Sequence, residues 1–284
     1  MTSNTGQGDQ KPALATAMLP QNTPQVIGDT ARSLKKCTRR EIRHGNEGSY
    51  ILATQVPAKL VDPSADDHCR VFGSKCRVTY DAETRQLIAQ IPCGPHLVAA
   101  GAFGQEIMMQ SIKMGAHARL IPMGKTTHID GTVQKEPAAC FRPKFTLLSG
   151  RTAKWPTLVV ECCWSESLAH IQWDANLWIG RSEAEVKVVI LMSMTKDQDA
   201  LVVEKWTPGN PPQTRSWTRF SASREQSVRI FRYANGTVKT AGHPLIIRFE
   251  EVFLRPPKPP LEQDFELDQA ALISIAECAW DRSI

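Results

Sequence analysis

At 284 residues, 42% hydrophobic and 22% charged, the chain is long enough and apolar enough for one large domain with tails, or two small ones, around a real core. The formal net charge of +5 is mildly basic, compatible with nucleic acid without arguing for it, and equally that of a protein with scattered surface charge. The first twenty residues carry no secretory pattern and no run approaches about 18 apolar residues, so an intracellular protein, nuclear or cytoplasmic, with no membrane partner is expected.

Residues 1–47 are rich in Thr, Gln, Pro, Gly and Asn and then basic, in LKKCTRREIRH, and read as a disordered basic tail. Its Lys35, Lys36, Arg39, Arg40 and Arg43 fit a nuclear address or a phosphate-contacting arm, with solvated tail charge as the equal alternative. Order is expected from SYILATQV onward, in a domain spanning 48–255. CRVTYDAETRQLIAQIP predicts two strands, Cys76 to Tyr80 and Leu87 to Ile91, around a polar turn. GAFGQEIMMQSIKMG predicts a helix over 101–115 with Phe103, Ile107, Met108 and Ile112 near helical spacing, stopped by Gly115. HARLIPMG reads as a strand, TTHIDGT as a turn at Asp130-Gly131, and ACFRPKFTLL as a strand interrupted by Pro143. PTLVVECC has the continuous apolar body of a buried central strand.

SESLAHIQWDANLWIGRS predicts a helix capped by Ser165 or Ser167, with Leu168, Ile171, Ala175 and Trp178 on one stripe. EVKVVILMSM reads as a second buried strand and LVVEKW as an edge candidate. After a Pro-rich break, WTRFSAS, SVRIFRYANGTVKT and PLIIRFEEVFL form an expected antiparallel set with a turn at Asn235-Gly236. RPPKPPLEQ reads as a stiff extended linker and FELDQAALISIAECAW as an amphipathic helix, with Leu267, Ala271, Ile275 and Cys278 on one side, together filling 256–284. A strand–helix–strand unit over 157–194 requires a parallel crossover, so the class is α/β with a mixed sheet. Eight cysteines include no CxxC pair, which excludes zinc-ribbon and zinc-finger spacings. His68-Cys69 followed by Cys76 is a weak metal pattern beside the alternative of packed free thiols.

This element order, with an acid ending the third strand, resembles the PD-(D/E)XK nuclease superfamily. LIPMGKTTHIDGTVQKEPAACFRPK, WPTLVVECCWSESLAHIQWDANLW and EVKVVILMSM resemble uncharacterised fungal members and, more distantly, bacterial restriction endonuclease domains. The resemblance spans about residues 75–207 and implies a restriction-endonuclease-like mixed sheet with an αβββαβ core, an antiparallel extension and a C-terminal helix. It also implies an Asp and a Glu on adjacent strand ends holding Mg²⁺ (or Mn²⁺), and a Lys two residues past the Glu that orients water.

Carried over by position, the Glu is Glu161, which reads alternatively as an acid at the mouth of a buried strand that pairs with an Arg, the Asp position is Ala138 and the Lys position is Cys163. Glu136, two residues from Ala138 on the same strand face but displaced by about 7 Å along it, is the candidate substitute metal ligand, and Lys187 is the candidate substitute lysine beside the alternative of a lysine snorkelling from a strand end. Ser165, Asp174, Lys144 and Glu106 are lesser pocket candidates, each also readable as a cap or surface residue. With two of three defining groups missing, the expectation is a degenerate site, inactive or weakly active. The alternatives are a non-catalytic nucleic-acid-binding module, with DNA as partner, or a protein-interaction module. Trp155, Trp164 and Trp173 suit base stacking or ordinary packing.

Overall fold

The computed structural model describes residue 14 and residues 16–62, 68–144, 151–152, 154–196, 198–209 and 220–281. In chain order these form β1 (Gln25–Ile27), α1 (Ala31–Arg43), β2 (Tyr50–Thr54), α2 (His68–Phe72), β3 (Arg77–Asp81), β4 (Gln86–Gln90) and α3 (Gly94–Lys113). Then come β5 (Leu120–Pro122), β6 (His128–Asp130), β7 (Val133–Lys135), β8 (Ala139–Pro143), β9 (Leu158–Trp164), α4 (Leu168–Arg181) and β10 (Val188–Met194). β11 (Ala200–Gly209), β12 (Ser221–Arg232), β13 (Val238–Ala241), β14 (Leu245–Ile247), α5 (Phe249–Phe253), β15 (Phe265–Leu267) and α6 (Gln269–Trp280) complete the chain.

The fold is mixed α/β. A seven-stranded sheet runs β13-β12-β11-β10-β9-β8-β5, antiparallel except for the β9–β10 pair that α4 connects. Residues of β9 and β10 alternate between two apolar layers. Leu158, Val160, Cys162, Val188, Ile190 and Met192 meet α3 and α6, while Val159, Cys163, Val189 and Leu191 lie under α4. Burial on both faces explains why these two strands read as unbroken apolar runs. A six-stranded sheet, β1-β2-β4-β3-β7-β6, turns Ile51, Val78, Tyr80 and Leu87 towards Leu34 and Cys37 of α1 and Phe72 of α2. The chain passes from the first sheet into the second at β6–β7 and returns at β8, so these two strands interrupt the expected run of helix and strands.

Several expectations need correction. Residues 31–43, read as tail, are helical: Thr30 caps α1 by accepting from Ser33 N–H at 3.3 Å, and Leu34, Cys37, Thr38 and Glu41 are buried. Four buried positions among the thirteen of this mostly charged helix suffice for docking, which average composition conceals. The helix expected at 101 starts at Gly94, with Pro95 in its first turn, where a missing N–H costs nothing. β11 is not an edge, since β12 covers it along ten residue pairs. FEEVF is the short helix α5, and FEL is β15, paired with β14. Between them RPPKPPLEQ folds back, Arg255 gripping both oxygens of Glu262 at 2.5 and 2.6 Å. In α6, capped by Asp268, the buried side chains are Leu272, Ile275, Ala276 and Ala279, and Cys278 is exposed. The expected extension of β8 into 145–148, the Pro-rich break over 210–217, residues 1–13 and the side chains of His68 and Cys69 lie outside the described residues.

Candidate functional site

The site lies where the two sheets meet, at the middle of β9: Glu161, expected to end its strand, is the fourth of seven strand residues, since pairing with β10 continues through Trp164. Alternation along β3 sends Val78 and Tyr80 into the apolar layer under α1 and leaves Arg77 and Thr79 on the opposite face. Lys135 pairs with Thr79 across β7–β3, and Arg77 with Gln90 across β3–β4. From the other side α4 presents His170, Asp174 and Trp178, each one turn after the last.

These groups converge on Glu161, which is 2% exposed. Arg77 Nη1 donates to Glu161 Oε2 at 2.6 Å, and Trp178 Nε1 donates to Oε1 at 2.9 Å. Lys135 Nζ stands 3.5 Å from Glu161 Oε1 and 2.9 Å from Asp174 Oδ2, and donates to Thr79 Oγ1 at 3.2 Å. Two cations therefore meet two carboxylates, and the buried charge closes to zero, the condition under which such a cluster is tolerated. Arg77 also donates to Gln90 and, at 3.3 Å, to the Cys162 carbonyl, which further accepts from Gln90 Nε2 at 3.0 Å; these bonds tie the two sheets together.

Burial opposes the charge on Arg77, but Glu161 together with Cys162 and Tyr50 outweighs it, and its pKa is raised. His170 is pushed down by burial and by Lys135 against the pull of Asp174, so it is neutral beside them. Burial lifts the Cys162 thiol to about 12 and holds Cys163 well above its ordinary range, which removes both as thiolate ligands or nucleophiles. The cleft bounded by Tyr50, Arg77, Lys135, Glu136, Glu161 and Asp174 leaves about 10 Å³, room for roughly one water.

Each sequence-predicted residue has a definite place. Ala138 donates its N–H to the Val160 carbonyl at 3.0 Å, so it stands beside the middle of β9, next to Glu161. Glu136 lines the same cleft as Glu161 but accepts from Val78 N–H at 3.2 Å and Thr127 Oγ1 at 3.1 Å. Cys163 is fully buried under α4. Lys187 precedes β10 and donates its N–H to the Thr157 carbonyl, whereas Glu161 pairs with Leu191. Four residues separate them, about 13 Å of strand, so Lys187 is not brought to Glu161. Glu106 accepts from Gln110, which binds the backbone of β15, and Lys144 is exposed beyond β8. Ser165 is exposed in a 3-10 turn; Ser167 holds the N-cap position of α4 without a side-chain cap. Trp155 stacks on His128 and Trp173 on His170, while Trp164 donates to the Glu47 carbonyl at 2.8 Å, so all three are engaged in packing.

Arg77 and Lys135, which contact Glu161 directly, were not singled out from the sequence, and Asp174 counted there only as a lesser candidate. Lys135 shares strand phase with the buried Val133, and 170, 174 and 178 follow helical spacing; both signals are visible in sequence but become specific only with the sheet pairing known.

Among the described residues no cluster of three or more His, Cys, Asp or Glu could hold a metal ion. The residues that would have to hold Mg²⁺ do not suit it. Ala138 has no ligand, Glu136 is held by Val78 N–H and Thr127 Oγ1, and Glu161 accepts from Arg77 and Trp178 with the ammonium of Lys135 standing between it and Asp174. No helix among the described residues is long and apolar enough to cross a membrane.

No protein-family model matches the chain, and no curated protein does. Among solved structures, "a putative nuclease belonging to DUF820 from Anabaena variabilis ATCC 29413" is similar at TM-score 0.38 and 10% identity, over 70% of this chain and 90% of that one. A likeness this slight assigns neither fold family, activity nor site residues.

Proposed function

We propose that this chain is a nuclease-like domain of PD-(D/E)XK descent in which the two-carboxylate metal site has become a closed ion-pair cluster, so that it binds its partner without cutting phosphodiesters. The observation that carries this reading is the occupation of Glu161: both oxygens are held by Arg77, Trp178 and Lys135 in a cleft with space for one water. A metal ion and a scissile phosphate have no room there unless the cations move. Breaking a buried pair to admit them is costly, about 3–5 kcal/mol. Cys163, at the position of the water-orienting lysine, is a thiol sealed in the core.

Plasmid, single-stranded DNA and RNA incubated with Mg²⁺ or Mn²⁺ test the reading on the native chain, Ala138→Asp, and Ala138→Asp with Glu161→Ala. All three are expected to leave the substrates intact, because restoring one carboxylate does not displace Lys135. Cutting by the native chain that disappears with Glu161→Ala sinks the proposal. Cutting by Ala138→Asp alone shows the cluster to be far looser than described and also counts against it.

A further inference from the structure

We infer that the exposed face of α1 is a docking surface for the phosphodiester backbone of a nucleic acid, remote from the Glu161 cluster. At 3.6 residues per turn, Arg32, Lys36, Arg39 and Arg43 fall within about 60° of one another and run about 16 Å along the helix. All four are exposed, and Lys35 and Arg40 flank them on either side. The buried residues Leu34, Cys37, Thr38 and Glu41 occupy the opposite side, so packing fixes the direction of the cationic row. The single acid of the helix, Glu41, is turned inward, held by Arg40 at 2.7 Å and Asn46 at 2.9 Å. Among the described residues none of the four cations of the row has a carboxylate partner. Arg43 Nε instead donates to the Arg39 carbonyl at 3.2 Å.

This arrangement works against the stability of α1. Arg32–Lys36, Lys35–Arg39, Lys36–Arg40 and Arg39–Arg43 are like-charge pairs four residues apart, and no acid occupies the first turn. A rigid helix that keeps an unneutralised row at local expense has the form of a binding surface. Guanidinium forks, three of the four groups, match phosphate geometry, and a row of cations matches a polymer with evenly repeated charge. None of the large exposed apolar side chains lies on α1, so the helix lacks what would enter a lipid interface.

The test is fluorescence anisotropy with labelled duplex DNA, single-stranded DNA and RNA of about 20 nucleotides, from about 50 to 200 mM salt. The full chain is compared with a variant carrying Arg32→Gln, Lys36→Gln, Arg39→Gln and Arg43→Gln. The control has the same charge change at exposed sites elsewhere, Lys113→Gln, Arg229→Gln, Lys239→Gln and Lys258→Gln. For the native chain, four phosphate contacts predict a slope of log K against log salt near −4 on duplex, about a hundredfold loss across that range. The α1 variant should lose most of this slope and the control should keep it. Since the α1 variant relieves repulsion, its melting temperature should not fall, so lost binding is not lost folding. Equal weakening by the control, no salt-dependent binding, or tighter capture of poly-glutamate or anionic vesicles overturns the inference. It rests on the proposed function only for the choice of ligand: cutting with intact α1-dependent binding sinks that reading and leaves this one standing.

Discussion

Glu161 is held so fully that its removal should be felt as lost folding before anything else. Glu161→Ala leaves Arg77 and Lys135 facing a single carboxylate in a buried site, and a loss of about 3–5 kcal/mol is expected, read as a lower urea midpoint at unchanged slope. A carboxylate kept for metal would behave differently, since its loss relieves repulsion and leaves stability intact or improved. Lys135 and Asp174, 2.9 Å apart, should be energetically coupled. A double-mutant cycle with Lys135→Met and Asp174→Asn is expected to give an interaction term of about 0.5–3 kcal/mol. At Cys163 the attempt to restore a catalytic lysine should fail for a packing reason. Cys163→Lys would drive a long side chain and its ammonium into a closely packed, fully buried position under α4, and the variant is expected to be destabilised, read as a lower urea midpoint, rather than active.

The elements around the site are joined by close contacts that tolerate little change. Gly48, at φ +80°, precedes β2, and a Cβ there would lie 2.4 Å from Trp164 Nε1 and 2.6 Å from His96 Cε1. Gly48→Ala therefore combines backbone strain with a clash across the seam of the two sheets, and a loss above about 1 kcal/mol is expected in thermal melts. Elements of this kind differ in how far the sequence reveals them. β9, α4 and β10 were legible because each buries a continuous or strictly periodic apolar set. α1 was not, because its four buried residues are diluted by basic ones, and β15 was absorbed into α6 because FEL continues an apolar helical pattern up to the Asp268 cap. The position of Glu161 was likewise readable from VVEC, whereas Arg77 and Lys135 reach it from β3 and β7, strands of another sheet. No local pattern encodes that meeting.

For the whole molecule, pH reports on histidines buried in their neutral form. His96 is lowered from the ordinary 6.5 to about 3 by burial, with Arg77 and Lys196 adding repulsion, and His170 shifts in the same direction. Below 6.5 the unfolded chain takes up a proton at His96 that the folded chain refuses until about pH 3. Stability from this group is thus complete above 6.5 and is lost as pH falls, by up to about 1.4 kcal/mol per pH unit. His96→Phe keeps a ring against Trp164 and sacrifices no hydrogen bond of Nε2, which has no partner among the described residues. It should flatten the fall in urea midpoint between about pH 6.5 and 5 by one proton's worth. The clasp at the chain's end has a different kind of consequence. β15 pairs with β14, and α6 lays Leu272, Ile275 and Ala276 into the apolar layer shared with Phe103 and Ile107 of α3. That layer is not fully covered until α6, residues 269–280, docks on α3. During synthesis α3 is already in place against β8 and β9, but the side of α3 and the ends of β12 and β13 that α6 covers stay bare until residue 280 is made, a hazard of timing rather than of equilibrium.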